Sequence, residues 1–250
     1  MTEFVVVIPA RFASERLPGK PLRDIAGKPM IEHVYQRGLE SDAKEVVIAT
    51  DDERIAAAAE DFGAIVCMTG DQHRSGTERI AEVANIMAWD DATVVINLQG
   101  DEPAMPPALI NQCAGLLDDS NVDIATLASP VLSQDDFENP NVVKVLLNDA
   151  DDAIYFSRAA IPYPRCEDDS RRAMDAALHH HGIYAYRCGI LRQLVNAEPS
   201  QLELAEQLEQ LRALSLGMRI RVGRPAVRPG RGVDTEDDLA EVAAELSDQE

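Results

Sequence analysis

FVVVIPARFASERLPGKP (4–21) decides the fold. Its first five residues are apolar, four of them β-branched, and the run passes through Pro9 and Ala10 into a charged, Pro- and Gly-punctuated segment. A short apolar run bounded in this way reads as a strand buried on both faces, the habit of a parallel sheet. Working outward, EVVIATDD (45–52), AIVCM (64–68) and TVVINLQGDEP (93–103) repeat the pattern. The intervening stretches 30–41, 53–62 and 77–88 have helical spacing and enough length for a crossover, so the first hundred residues read as βαβ units. Ligands in such sheets sit at the carboxyl ends of the strands.

Beyond Pro106 the alternation loosens. VDIATLASPVL, NVVKVLL, AIYFSRA and GIYAYR suggest additional, partly antiparallel strands in a smaller mixed lobe on the substrate side. A helix is expected over 200–217. Ser200 and Glu203 would form a capping box, Leu204, Leu208 and Leu211 an apolar stripe, and Gly217 a stop. A last helix opens at Thr235, with Asp238 three residues on. The expectation is a single α/β domain of two parts, residues 1–105 with 218–250 and residues 106–217; the family resemblance described below implies nucleotide binding for the first and sugar binding and dimerisation for the second.

Composition removes whole classes of function. The chain has 250 residues, 46% of them apolar, which supports one sizeable core and argues against disorder. Uninterrupted apolar runs reach five residues, against the roughly 20 needed to cross a bilayer. MTEF leads at once into a strand without a basic n-region, so a cytoplasmic location is expected. Cys67, Cys113, Cys166 and Cys188 are widely spaced and read as free, mostly buried thiols. A formal charge of −21 repels nucleic acid and anionic lipid. Eight acids between 234 and 250 place much of that charge on a solvated terminal helix.

Against this acidity the segment 11–28 stands out. Arg11, Arg16, Lys20, Arg23 and Lys28 face only Glu15 and Asp24 there, at the carboxyl end of the first strand. Such a loop can wrap a polyphosphate. It is not a Walker A loop, since Ser14 and Pro21 occupy the positions that need Gly and Ser or Thr, and GxGxxG is absent. What remains is a nucleotide held by side-chain cations. LQGDEP puts Asp101 just past the fourth strand, and GVDT puts Asp234 beside a glycine; both suit a hard cation such as Mg2+, which takes one or two protein carboxylates while phosphate and water complete its shell. The histidine triplet 179–181 does not read as a metal site, because neighbours on a strand point to opposite faces.

IPARFASERLPGKPLRDIAGKPMI, HRSGTERIAEV, VVINLQGDEP, NPNVVKV, YFSRAAIPY, HHHGIYAYR, LEQLRAL and GVDTEDDL follow one another in the order and approximate spacing of one enzyme family. From about residue 4 to 240 the chain resembles the CMP-Kdo synthetases, which are 3-deoxy-D-manno-octulosonate (Kdo) cytidylyltransferases of the sugar nucleotidyltransferase superfamily. PARxxSxRLPGKP marks the wider sugar cytidylyltransferase group, whereas HxSGTER, YFSRAxIPY and LEQLR are more specific. The resemblance implies a Rossmann-like nucleotidyltransferase fold with a mainly parallel sheet flanked by helices. It also implies the conversion of CTP and Kdo to CMP-Kdo and pyrophosphate with Mg2+, in the pathway to lipopolysaccharide, by a homodimer.

Carried over by motif, Pro9, Ala10, Arg11, Arg16 and Lys20 would bind the nucleotide, with Ser75 and Arg79 helping to read cytosine. Asp101 and Asp234 would hold magnesium, and together with Lys20 and Arg16 form the catalytic set. Gln99, Arg158, Arg165, His180 and Gln210 would form the Kdo pocket. Attack by a sugar acid on a phosphate brings negative groups together, which is why cations are needed on both sides.

Three departures from the family pattern stand out. Glu15 places an acid between Arg11 and Arg16, the stretch from Cys166 to the histidines is short, and Glu236 replaces the usual proline of VDTPEDL, which reads as a change of little consequence. The competing readings are a cytidylyltransferase for another sugar acid, such as 8-amino-Kdo or a sialic acid, and a catalytically silent CTP-binding regulator. Retention of Lys20, Asp101 and Asp234 together disfavours the second.

Overall fold

The structure, a computed structural model, describes residues 2–13, 17–166 and 169–247. Its strands are β1 (Phe4–Ala10), β2 (Asp24–Ile25), β3 (Lys28–Pro29), β4 (Glu45–Thr50), β5 (Ile65–Met68), β6 (Val94–Asn97), β7 (Ile124–Pro130), β8 (Lys144–Leu147), β9 (Ala153–Ser157), β10 (Leu178–Arg187) and β11 (Ile220–Gly223). The helices are α1 (Met30–Leu39), α2 (Glu53–Asp61), α3 (Gly76–Ile86), α4 (Pro107–Gly115), α5 (Gln134–Glu138), α6 (Ser170–Ala176), α7 (Cys188–Asn196), α8 (Gln201–Glu206), α9 (Gln210–Ser215) and α10 (Glu236–Ser247). All but β2 and β3 join one sheet, ordered β11-β7-β10-β6-β1-β4-β5, with β8 on β10 and β9 on β8.

β1 sits between β4 and β6, parallel to both, with Val6 opposite Val46 on one side and Ile96 on the other. Its side chains alternate between two cores. Val6 and Ile8 pack with Ile31 and Val34 of α1 and Leu109 of α4, while Val5 and Val7 pack with Ile80 and Val83 of α3 and Leu191 of α7. Each such aliphatic side chain contributes on the order of 1.5–3 kcal/mol by leaving water, which makes β1 the spine of the fold.

The second half is antiparallel where it meets this frame. β10 pairs with β6 and with β7, and a register shift between His181 and Tyr184 re-aims the strand. Two expectations need correction. β5 is an edge strand with Ile65 and Met68 about half exposed, not a buried one, because the parallel set ends there. The expected helix over 200–217 is two short helices: Gln207 adopts a left-handed conformation and breaks it, leaving Leu204 exposed while Leu208 and Leu211 are buried. The Ser200–Glu203 capping box is present. Among the cysteines, Cys67, Cys113 and Cys188 are buried and Cys166 is exposed.

Candidate active site

The loop after β1 enters a single 3-10 turn, Lys20–Leu22, that draws Lys20 inward until it is only 9% exposed. A buried ammonium needs partners, and Lys20 finds two. Its Nζ donates to Asp101 Oδ2 at 2.7 Å and to Asp234 Oδ1 at 3.1 Å. Asp101 is brought there by the turn after β6, where Gly100 lies so near β1 that a Cβ would stand 2.8 Å from Pro9 O. Asp234 is brought by Val233, whose N–H donates to Asp101 O at 2.9 Å, and by the start of α10. There Thr235 and Asp238 cap each other: Asp238 N donates to Thr235 Oγ1, and Asp238 Oδ2 accepts from Thr235 N.

Glu102, which motif reading passed over, stands beside this pair. Burial first, and then the charges of Asp101 and Asp234, push its carboxyl up to about 8, with Lys20 opposing. The signal was present in LQGDEP as a second acid, but only the fold shows three carboxyls sharing one neighbourhood. The donor set fits a hard divalent cation held by two carboxylates with phosphate and water for the rest. Among the described residues no three acidic, His or Cys side chains are arranged to hold a metal ion by themselves, so phosphate and water would have to complete the shell.

Two clefts flank the site. The larger, about 1890 Å3, is lined by Asp101, Glu102 and Asp234 and also by His179, His180 and His181. The smaller, about 240 Å3, gathers Arg11, Ser75, Gln99, Tyr184, Glu209 and Gln210. Ser75 caps α3, accepting from Glu78 N, and its hydroxyl donates to Glu209 Oε1 at 2.9 Å; Thr77 donates to Glu209 Oε2 at 2.7 Å. Burial raises the Glu209 carboxyl above its usual range against these hydrogen bonds. The Tyr184 hydroxyl is buried without a partner among the described residues, although it lines this cleft. Glu209 and Tyr184 were missed because an acid on a helix and a tyrosine in an apolar strand look ordinary until the fold sets them together.

The other expected residues are distributed as follows. Pro9 and Ala10 end β1 against Ala49 and Thr50. Arg79 is almost fully buried and pairs with Asp51 at 2.7 Å, lining neither cleft. Gln99 donates to Asn97 Oδ1 at 2.7 Å. His180 packs between Phe156 and Tyr184, with ring centroids 5.1 and 5.2 Å away, and its Nε2 lies 3.1 Å from Thr126 Oγ1. Burial, then the neighbouring histidines, lower its pKa to about 3, and that of His181 falls to about 4 for the same reasons. Arg158 has its Nε on Glu206 O at 2.9 Å and its Nη1 on Pro140 O at 3.0 Å. Arg165 is exposed, and neither arginine lines a cleft. Arg16 and Glu15 lie outside the described residues. Glu236 has a larger role than its position suggested, taking both terminal nitrogens of Arg23 at 2.7 Å and so tying α10 to the turn that carries Lys20.

Comparison with known proteins gives these positions a context. The cytidylyltransferase family model matches residues 5–220. The chain is 50% identical over 249 residues to a 3-deoxy-manno-octulosonate cytidylyltransferase of Haemophilus ducreyi, covering 98% of each chain. It is 50% identical over 250 residues to the Haemophilus influenzae protein of that name, again over 98% of each. A solved structure described as CMP:2-keto-3-deoxy-manno-octonic acid synthetase complexed with CTP matches with a TM-score of 0.90 and 43% identity over the whole of both chains. A cytidylyltransferase of Leptospira borgpetersenii, 14% identical with a TM-score of 0.62 over 100% of this chain and 95% of that one, shares the fold alone.

Proposed function

We infer, from the premise that this chain belongs to the cytidylyltransferase family and within it to the 3-deoxy-manno-octulosonate cytidylyltransferases, that it transfers the cytidylyl group of CTP to Kdo, giving CMP-Kdo and pyrophosphate for lipopolysaccharide. The observation that carries the reading is the meeting of Asp101, past the end of β6, and Asp234, at the start of α10, on Lys20, where both carboxylates line the large cleft.

Arg11 and Lys20 supply positive charge where the phosphates gather, which a net charge of −21 makes necessary. Asp101 and Asp234 would hold Mg2+, which when bound supplies Lewis-acid charge at the phosphoryl oxygens. Lys20 keeps the two carboxylates together and, desolvated, meets the charge that grows as the leaving group departs. Ser75, Gln99 and Gln210 border one cleft and present hydroxyl and amide groups to nucleotide and sugar. Arg165, exposed and without a partner among the described residues, is the freer arginine for the Kdo carboxylate, and Arg158 stiffens the same segment. Two copies would pair through the 106–217 part, where Leu132 and Tyr163 are 84% and 89% exposed. No helix is long and apolar enough to cross a membrane among the described residues; a cytoplasmic site of action accords with the use of CTP.

Pyrophosphate release on mixing the protein with CTP, Mg2+ and a panel of sugar acids tests the reading. Release is expected with Kdo, and preference for 8-amino-Kdo or a sialic acid would reassign the sugar. No release with any member would sink the enzyme assignment.

A further inference from the structure

Between β11 and α10 the chain reads GRPAVRPGRG (223–232), with three arginines and no acid in a strongly acidic protein. Its backbone is docked at both ends. Gln112 of α4 donates its amide to Arg224 O at 2.7 Å and accepts from Ala226 N at 2.9 Å. At the other end Gly230 lies against the 101–104 turn so closely that a Cβ would fall 2.0 Å from Ala104 O. Pro225 and Pro229 fix φ in between. With the main chain pinned to the sheet side, Arg224, Arg228 and Arg231 form part of the wall of the large cleft that Asp101 and Asp234 also line.

Arg231 is engaged by Glu241 at 2.7 Å and Asp238 at 3.5 Å. Arg224 and Arg228 are exposed, and among the described residues their guanidinium groups form no ion pair or hydrogen bond. In the lining of the same cleft, Arg37 of α1 holds Glu40 through Nη1, while its Nε is shielded from solvent and unpartnered among the described residues. Unpaired guanidinium groups in an acidic protein collect anions, and their planar forks match phosphate oxygens.

We propose that the 224–231 strap is a polyphosphate-binding wall, which receives the pyrophosphate group as it separates from the nucleotide. The identity of the anion rests on the nucleotidyl-transfer reading; the wall itself rests on the docked strap and its two unpaired arginines. Lys20 is held by two carboxylates, so the strap supplies cationic charge on the same cleft that the acidic pair does not neutralise.

The test is calorimetric titration of inorganic pyrophosphate, and separately of CTP, into the whole protein and the Arg224→Gln/Arg228→Gln variant in magnesium buffer without sugar. Pyrophosphate affinity is expected to fall on the order of tenfold, with a shallower dependence on salt. The CTP arm separates the two sources of polyphosphate. Loss confined to pyrophosphate assigns the wall to the leaving group, and equal loss for CTP assigns it to the triphosphate before reaction. Unchanged affinity for both overturns the proposal. Binding is read here without turnover, so a failure of the sugar assay would count against the enzyme assignment and leave this result standing.

Discussion

The two halves of the site are built by different means. Around the parallel sheet, Lys20, Asp101 and Asp234 come from chain segments as much as 214 residues apart, yet each sits beyond a strand end or at a helix start, so topology brings them together. In the 106–217 part, Arg158, His180 and Glu209 are held by hydrogen bonds that involve the side chains of Glu206, Thr126, Ser75 and Thr77. A parallel sheet converges its loops for free, whereas an antiparallel extension positions each group by a local contact. The first arrangement leaves its charges facing one another; the second leaves several donors already engaged.

The sharpest way to break this comparison is Asp101→Asn. If the strand-end group works as a unit, turnover should drop on the order of 10^2- to 10^3-fold with the thermal midpoint barely moved, because an amide is a poor ligand for a hard cation. Lys20→Ala should follow, with kcat falling more than the KM for CTP rises. Near-normal kcat in either variant at saturating Mg2+ would remove it from the chemistry.

Next in size is an acid effect confined to the antiparallel half. In the folded chain His181 stays neutral down to about 4, while an unfolded histidine takes up its proton near 6.5. Stability should therefore fall as pH drops from 6.5 towards 4, by up to about 2 kcal/mol at pH 5 for this residue, and level off below. His181→Gln should flatten that part of a denaturation profile; an unaltered slope would show that the ring is not held neutral.

Smaller, and aimed within the 106–217 part, is the contrast between two arginines. Arg165→Ala should weaken Kdo binding about tenfold with CTP affinity and stability unchanged. Arg158→Ala should also cost about 1 kcal/mol of stability, since it releases Glu206 O and Pro140 O. Equal melting curves for the two variants would mean that the Arg158 contacts carry no weight.

The least effect is expected from Arg23→Ala. The bidentate pair with Glu236 is exposed and should add little to stability, an effect that vanishes in high salt. A larger loss of kcat than of stability would show that this pair holds Asp234 against Lys20.

Legibility in the sequence followed the same division. β1, β4 and β6 and the helices between them were readable because a doubly buried strand and an amphipathic crossover each leave a local pattern. The break at Gln207 was not, since Leu204 fits the helical stripe as well as Leu208 does and only packing shows which is covered. Lys20, Asp101 and Asp234 were visible as motifs, but Glu102, Tyr184 and Glu209 were not, because nothing local distinguishes a structural acid or tyrosine from one that borders a cleft.

By itself, then, the sequence determined the βαβ frame, the basic loop at its first strand end, an acidic residue past the fourth strand and another at the start of the last helix, and the family. Each of these is written in short-range periodicity or in motifs that survive without knowledge of contacts. Only the tertiary structure decided that the two aspartates share Lys20, that Arg79 and Arg158 are engaged by Asp51 and Glu206, and that the arginines of the 224–231 strap line the cleft. Such pairings depend on which groups burial brings within about 3 Å of one another, a property of the packed chain and not of any segment of it.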